Sequence, residues 1–223
     1  MGIKYKINYN FFKTWSREMA YVLGCLYADG SLENSPYIRG KYIRFSSTDL
    51  SFVKNLRSFM SSEHTIVKIK PDGNRKVKYY LRIGSHAVYS DLEKLGLSPR
   101  KSLTMAFPYI PDLFVSDFVR GYLDGDGSIV IDKYKKNKNA KRLKTVFTSG
   151  SEMFLRKLDE SLRQYCNIDG PNFYKSHKSF QLVYRCSKAK KVLDFIYKDL
   201  RERLFLDRKY TAYREALELL NLN

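Results

Sequence analysis

Asp29 and Asp126 occupy the same place in two copies of a ten-residue motif. VLGCLYADGS, from Val22 to Ser31, and VRGYLDGDGS, from Val119 to Ser128, share six of ten residues at an offset of 97. Each aspartate closes an apolar segment and precedes a glycine. A carboxylate at the end of a helix is electrostatically unfavourable by ~0.3–1 kcal/mol, because the helix C-terminus carries about half a negative charge. Bringing two such ends together adds like-charge repulsion. Divalent cations bound through oxygen would relieve both, with helix-end carbonyls completing the shell. Paired carboxylates holding metal beside a strongly basic surface are the equipment of metal-dependent phosphodiester hydrolysis. A lone Asp-Gly pair after a helix is ordinary turn chemistry; the duplication inside a repeated motif is what singles this one out. A calcium helix-loop-helix reading of DGDGSIVID fails, because the sixth position from Asp124 is Ile129, where that loop needs glycine.

The elements that must position these carboxylates are two helices, from about Ser16 to Asp29 and from about Asp112 to Asp126. Thr14 or Ser16 is expected to cap the first, and Gly30 and Gly127 sit where a left-handed helix stop is wanted. Ala20, Gly24 and Ala28 share one face of the first helix, and Gly121 and Gly125 one face of the second. A helix-interior glycine costs about 1 kcal/mol relative to alanine. Paired glycine faces therefore predict close packing of one motif helix on the other.

The repeat continues past the motif. FSSTDLSFVKNL from Phe45 aligns with FTSGSEMFLRKL from Phe147, LRIGS from Leu81 with YRCSK from Tyr184, and Arg100-Lys101 with Arg208-Lys209. Each half reads as helix, two strands, helix, two strands, helix, with a seam at FPYIPD that divides residues 1–111 from 112–223. VKYYLRI alternates Val77, Tyr79, Leu81 and Ile83 against Lys78, Tyr80 and Arg82. Likewise Tyr42, Arg44 and Ser46 oppose Ile43 and Phe45; Arg142 and Lys144 oppose Leu143, Thr145 and Phe147; Gln181 and Arg185 oppose Phe180, Leu182 and Tyr184. Each half is thus an antiparallel sheet with one helix-covered face and one basic face.

The 223-residue chain has 41 Lys and Arg against 23 Asp and Glu, a net charge of +18 that points to a polyanion, nucleic acid before an anionic membrane. The surplus is +10 up to residue 111 and +8 beyond it, so both folded units carry it. No apolar run approaches the ~20 residues of a membrane span, and the first residues lack a secretory apolar stretch, so a soluble intracellular protein is expected. Cys25, Cys166 and Cys186 are too scattered for a disulfide framework or zinc site. His64, His86 and His177 show no metal-ligand spacing and are expected in solvent or against DNA backbone.

Both motifs resemble the LAGLIDADG signature, and nearly the whole chain is similar to single-chain, two-motif homing endonucleases. The resemblance implies an α+β fold of two pseudo-symmetric αββαββα domains, with the motif helices at their interface and saddle-shaped antiparallel sheets lying in the DNA major groove. It implies Asp29 and Asp126 as catalytic metal ligands, assisted by the carbonyls of Ala28 and Gly125, and Lys101 and Lys209 as the basic residue beside each site. The metal is expected to be Mg2+, two or three ions shared between paired sites, and the partner a long, partly asymmetric double-stranded DNA target bound by a monomer. Contacts are expected from Arg39, Lys41, Tyr42 and Arg44 in the first hairpin, and from Lys68, Lys70, Arg75, Lys76, Lys78, Tyr80 and Arg82 in the second. In the other half they are expected from Lys133, Lys135, Lys136, Lys138, Arg142 and Lys144, then Lys175, His177, Lys178, Gln181 and Arg185. The first motif departs from the family at Tyr27, where the second keeps an earlier aspartate, Asp124. Ser47 and Ser149 sit roughly where some members place a Gln, and their role stays open. Two other readings share the fold: an RNA maturase that helps its host intron splice, and a DNA-binding regulator that has lost catalysis.

Overall fold

The structure is a computed structural model that describes residues 5–35, 37, 40–70, 73, 76–133, 141–176, 178–200 and 204–220. Ser16, in extended conformation, accepts from the Met19 amide at 3.1 Å and starts α1 (Arg17–Asp29), with Glu18 favourably placed in the first turn. Then follow β1 (Gly30–Ser35), β2 (Gly40–Ser47), α2 (Leu50–Phe59), β3 (Ile66–Ile69), β4 (Lys78–Gly84) and α3 (His86–Lys94). A 3-10 turn over Lys101–Leu103 closes this half. The second half begins with a 3-10 turn (Asp112–Phe114) and runs through α4 (Val115–Asp126), β5 (Gly127–Lys133), β6 (Lys141–Ser149), α5 (Glu152–Cys166), β7 (Asn172–Lys175), β8 (Phe180–Arg185) and α6 (Cys186–Tyr197). It then adds α7 (Asp207–Leu219), so one more helix follows the last hairpin than the repeat predicts.

The two sheets have the same antiparallel order, β1-β2-β4-β3 and β5-β6-β8-β7. Their registers match as well: Gly30 faces Phe45 and Gly127 faces Phe147, while Phe45 faces Leu81 and Phe147 faces Leu182. Leu81 therefore corresponds to Leu182, correcting the sequence alignment with Tyr184 by two residues. In each sheet the predicted apolar face is buried, by Ile43, Phe45, Leu81 and Ile83 in one and Leu143, Phe147, Leu182 and Tyr184 in the other. α1 is buried on every side from Met19 to Tyr27, and α4 from Val115 to Asp124, as expected of helices at the centre of a core. At their entrances Trp15 stacks on Phe114, ring centroids 6.1 Å apart.

Gly30 and Gly127 are not left-handed stops. Their φ values are −83° and −100°, and each motif helix passes straight into a strand. Glycine is required for closeness instead: a methyl group at Gly30 would lie 2.6 Å from the Leu26 carbonyl oxygen, and one at Gly127 2.8 Å from that of Leu123. His64 is also not solvent-facing. It is buried, its Nε2 accepts from the Gly84 amide at 3.2 Å, and its Nδ1 bonds Ser62 Oγ at 2.9 Å. Among the described residues no helix is long and apolar enough to cross a membrane, and none of the three cysteines is in a disulfide.

Candidate active site and nucleic-acid interface

The crossing of α1 and α4 builds the site. A methyl group at Gly24 would overlap the Phe118 carbonyl, and one at Gly121 the Tyr21 carbonyl, so each helix presses its backbone on the other where a side chain is missing. Further along, a methyl at Gly125 would overlap Ala28 Cβ and stand 3.2 Å from Asp29 Oδ2. The end of α4 thus lies against the Asp29 carboxylate, as the small-residue faces predict. Both aspartates are exposed, and neither carboxylate has a hydrogen-bond or ion-pair partner among the described residues. Desolvation first, then the charge of Asp126, pushes the Asp29 carboxyl from its usual 3.8 up to about 6. Asp126 is raised by desolvation, with Lys101 and Lys209 opposing.

The two lysines bind backbone rather than carboxylate. Lys101 Nζ donates to the carbonyls of Tyr27 at 2.6 Å and Ala28 at 3.3 Å. Lys209 Nζ lies within hydrogen-bond distance of four, those of Leu123 (2.5 Å), Asp124 (2.8 Å), Gly127 (2.7 Å) and Gly125 (3.4 Å). Each buried ammonium therefore takes up carbonyls left over at the end of a motif helix and offsets its negative pole. Burial pushes both lysines from 10.5 down to about 8, against the upward pull of the aspartates. Their settings differ: Lys101 stands in the 3-10 turn, whereas Lys209 is in the first turn of the added helix α7.

That difference explains why the two motifs diverge at Tyr27 and Asp124. The buried Asp124 Oδ2 accepts from Tyr21 Oη and from the Leu206 amide, both at 2.8 Å. Leu206 is the residue before α7, so this carboxylate fixes where α7 starts and hence where Lys209 points. At the matching position Tyr27 Oη donates to the Leu95 carbonyl at 2.8 Å, tethering the loop that leads to Lys101. Arg120, fully buried, holds the α6–α7 connection through the carbonyls of Leu204 (2.5 Å) and Ile196 (2.6 Å) and pairs with Asp117. The sequence reading missed Arg120; the one cation of the motif helix, set between Phe118-Val119 and Gly121-Tyr122-Leu123, was the available signal. Ser47 and Ser149 accept from the amides of Asp49 and Ser151, forming tight turns before α2 and α5.

The paired registers decide which side chains share the uncovered face of each sheet. In the first, Tyr42, Arg44, Lys78, Tyr80 and Arg82 lie together, as expected. In the second, Arg142, Lys144, Gln181 and Arg185 do, joined by Tyr174, whose hydroxyl accepts from Arg185 at 2.9 Å. Three expected contacts belong to the opposite face. Lys41 shares the register of Ile43, reaches Glu93 on α3 at 3.5 Å and lies over the Tyr89 ring. Lys68 pairs with Tyr79, and Lys175 with Phe180, both of the helix-covered side. Lys68 and Lys175 stand in four-residue edge strands whose faces no alternation assigned, and Lys41 has the parity of Ile43 in β2; Val67 and Ile69 take the open-face places. Lys70, Lys76 and Lys178 are exposed beside the strands. Arg39, Arg75, Lys135, Lys136, Lys138 and His177 lie outside the described residues, and of Lys133 only the backbone is described.

A family model for LAGLIDADG endonucleases matches residues 119–220, from the second motif through α7. The first half repeats this segment in motif, strand order and register. Residues 119–220 are thus similar to LAGLIDADG endonucleases, and the first half repeats their arrangement. No curated relative matches it by sequence. Among solved structures it is similar to the meganuclease I-SmaMI bound to uncleavable DNA, at 17% identity over 92% of either chain and a TM-score of 0.61. It is also similar to the LAGLIDADG homing endonuclease I-GzeII in complex with its DNA target (14% identity, 94% of this chain and 91% of that one, TM-score 0.62). A third match is the LAGLIDADG meganuclease I-CpaMI bound to uncleaved DNA (13%, 93% and 92%, TM-score 0.61). At such identities the likeness speaks for the fold, which this chain shares along nearly its full length.

Proposed function

We propose that this chain is a site-specific double-strand DNA endonuclease, acting inside the cell as a monomer, that hydrolyses phosphodiester bonds with divalent metal ions, Mg2+ in the first instance. The observation that carries the reading is the pair of exposed, unpartnered carboxylates, Asp29 and Asp126, at the crossing of two motif helices between two basic sheet faces. The relatives support it: three of them are described bound to DNA, and one I-SmaMI structure has an uncleaved target in the presence of calcium ions.

The residues present fit a hard cation. The two carboxylates repel each other, and among the described residues neither is in an ion pair, with Lys101 and Lys209 acting on them only from a distance. The Ala28 and Gly125 carbonyls make only the longest of the lysine contacts, 3.3 and 3.4 Å, so each keeps acceptor capacity toward a cation. No group of three His, Cys, Asp or Glu gathers among the described residues, so the remaining ligands fall to carbonyls, water and the DNA phosphate. A divalent ion held there would lower the pKa of bound water and neutralise charge on the phosphate. The chain's own work is positional. Asp29 and Asp126 fix the two sites against each other through the helix crossing, Lys101 and Lys209 keep the helix ends from repelling the phosphates, and residues 1–111 and 112–223 each supply one DNA-binding sheet.

Retention of both aspartates and both lysines disfavours an inactive regulator, and nothing in the site calls for a maturase role. The test is cleavage of a randomised duplex library in Mg2+, followed by a plasmid assay on the selected site. A protein that shifts its selected duplex on a gel yet never cuts it would remove the nuclease reading and leave the regulator.

A further inference from the structure

On the open face of the first sheet, Glu33 sits between two arginines. Its Oε1 accepts from Arg44 Nη1 at 2.7 Å and its Oε2 from Arg82 Nε at 3.1 Å. Arg44 and Arg82 are directly opposite each other across β2 and β4, an arrangement that is destabilising unless a counter-charge bridges it. The guanidinium of Arg82 lies 3.6 Å from the Tyr42 ring centroid and that of Arg44 5.7 Å from the Tyr80 ring, which orients both planes. Both arginines stay well exposed, at 45% and 39% of the side chain. Arg82 has no partner for its two terminal nitrogens among the described residues. Ser31, opposite Arg44, is only two residues from Asp29, so the cluster stands close to the carboxylates.

The second sheet has nothing of the kind at the matching positions. Through the shared register, Glu33, Arg44 and Arg82 correspond to Val130, Val146 and Val183, three valines that offer no donor or acceptor. Val146 and Val183 are nearly buried.

We propose that Glu33, Arg44 and Arg82 form a guanine-reading clamp in one half of the protein, and that the valines at the matching places leave the other half-site without that demand. The inference rests on the DNA-binding reading above. Guanine presents O6 and N7 as adjacent major-groove acceptors, which a guanidinium fork meets in two parallel bonds. A phosphate is the poorer fit, because the Glu33 carboxylate between the two forks would face it and repel. Glu33 is a positioning residue: it holds two like charges side by side with their free N–H groups outward.

The experiment is binding selection on a randomised duplex library without divalent ions, sequencing bound and unbound pools for the wild type, Arg44→Ala, Arg82→Ala and Glu33→Gln. The wild type should demand guanine at one or two positions on one side of the target centre and not at the mirrored positions. Each Arg→Ala should lose between roughly 5- and 150-fold of preference at one of those positions and leave the others unchanged. Glu33→Gln should weaken the guanine preference at both while tightening binding to unrelated DNA. The clamp is wrong if the arginine variants lower affinity evenly over all sequences, or if the selected site demands guanine symmetrically on both sides. If no sequence is enriched and no duplex is shifted, the DNA-binding reading itself fails.

Discussion

Replacing Asp29 with Asn should make the metal-free protein more stable and deaf to divalent ions. The structure gives the sign. Asp29 is held at about 6 in the folded chain against 3.8 ordinarily, by desolvation and then by Asp126. A carboxyl raised on folding favours the native state while protonated, so its contribution is complete below pH 3.8 and is lost as pH rises through 6. The gap of about two pH units corresponds to at most ~3 kcal/mol at neutral pH. Because the carboxylate is exposed, solvent screening reduces this to roughly 1 kcal/mol. For a chain of this size that is about 2–4 °C in Tm. Asn keeps the shape and removes the charge, so Asp29→Asn should melt higher than wild type near pH 7.5 in EDTA, and the difference should vanish near pH 4. A cation that binds only the folded state at 100 times its Kd adds ~2.7 kcal/mol. Mg2+ should therefore raise the wild-type Tm more than that of the variant. The assay is thermal melting at pH 4 to 8, with EDTA or Mg2+, for wild type, Asp29→Asn and Asp126→Asn. Destabilisation by Asp29→Asn in EDTA at pH 7.5, or an equal Mg2+ shift in both proteins, would refute the metal-pair assignment.

Asp29→Asn and Asp126→Asn should also each cut the rate of plasmid linearisation on the order of 10³-fold while leaving the gel shift intact or tighter; wild-type cleavage by both variants counts against them as ligands. Gly24→Ala should cost ~1–3 kcal/mol or more, read as a lowered denaturant midpoint, because the added methyl overlaps the Phe118 carbonyl of a rigid helix. Asp124→Ala should cost ~2–4 kcal/mol by orphaning Tyr21 Oη and the Leu206 amide, and at a temperature where it stays folded it should slow cutting of one strand more than the other, since only Lys209 depends on α7. Equal slowing of both strands would separate Asp124 from Lys209. DNA affinity should fall with salt at a log-log slope near −0.9 per phosphate neutralised, and a flat dependence would argue against the basic faces as the interface.

The site's centre was legible in the sequence because duplication made it so. Gly24 and Gly121 each need an explanation as helix glycines, and one crossing explains both. The edge strands were less legible: β3 and β7 are four residues each, too short for alternation to reveal which face Lys68 and Lys175 take before the partner strand is known. Gly30 was placed rightly and explained wrongly, since a sequence shows that glycine is needed but not whether dihedral freedom or closeness demands it. The helix α7 carries Lys209 but has no counterpart in the first half, so comparing the halves could align the lysines without revealing that they stand on different elements.

The two halves keep their likeness unevenly, and the pattern follows from what each place must do. Near the helix crossing the glycines, the terminal aspartates and the carbonyl-bound lysines are all paired; under the proposed function, cutting two antiparallel strands poses the same chemical task twice. One shell out, identity is already lost: Tyr27 and Asp124 do the same tethering with opposite hydrogen-bond roles, one donating and the other accepting. On the sheet faces even the chemical class changes, from Glu33, Arg44 and Arg82 to three valines. A homodimer could not separate these demands, because a substitution that suited one half-site would be imposed on the other. Joining both motif copies in one chain removes that constraint, so under the proposed function the sheets are free to follow an asymmetric target while the helix crossing stays symmetric.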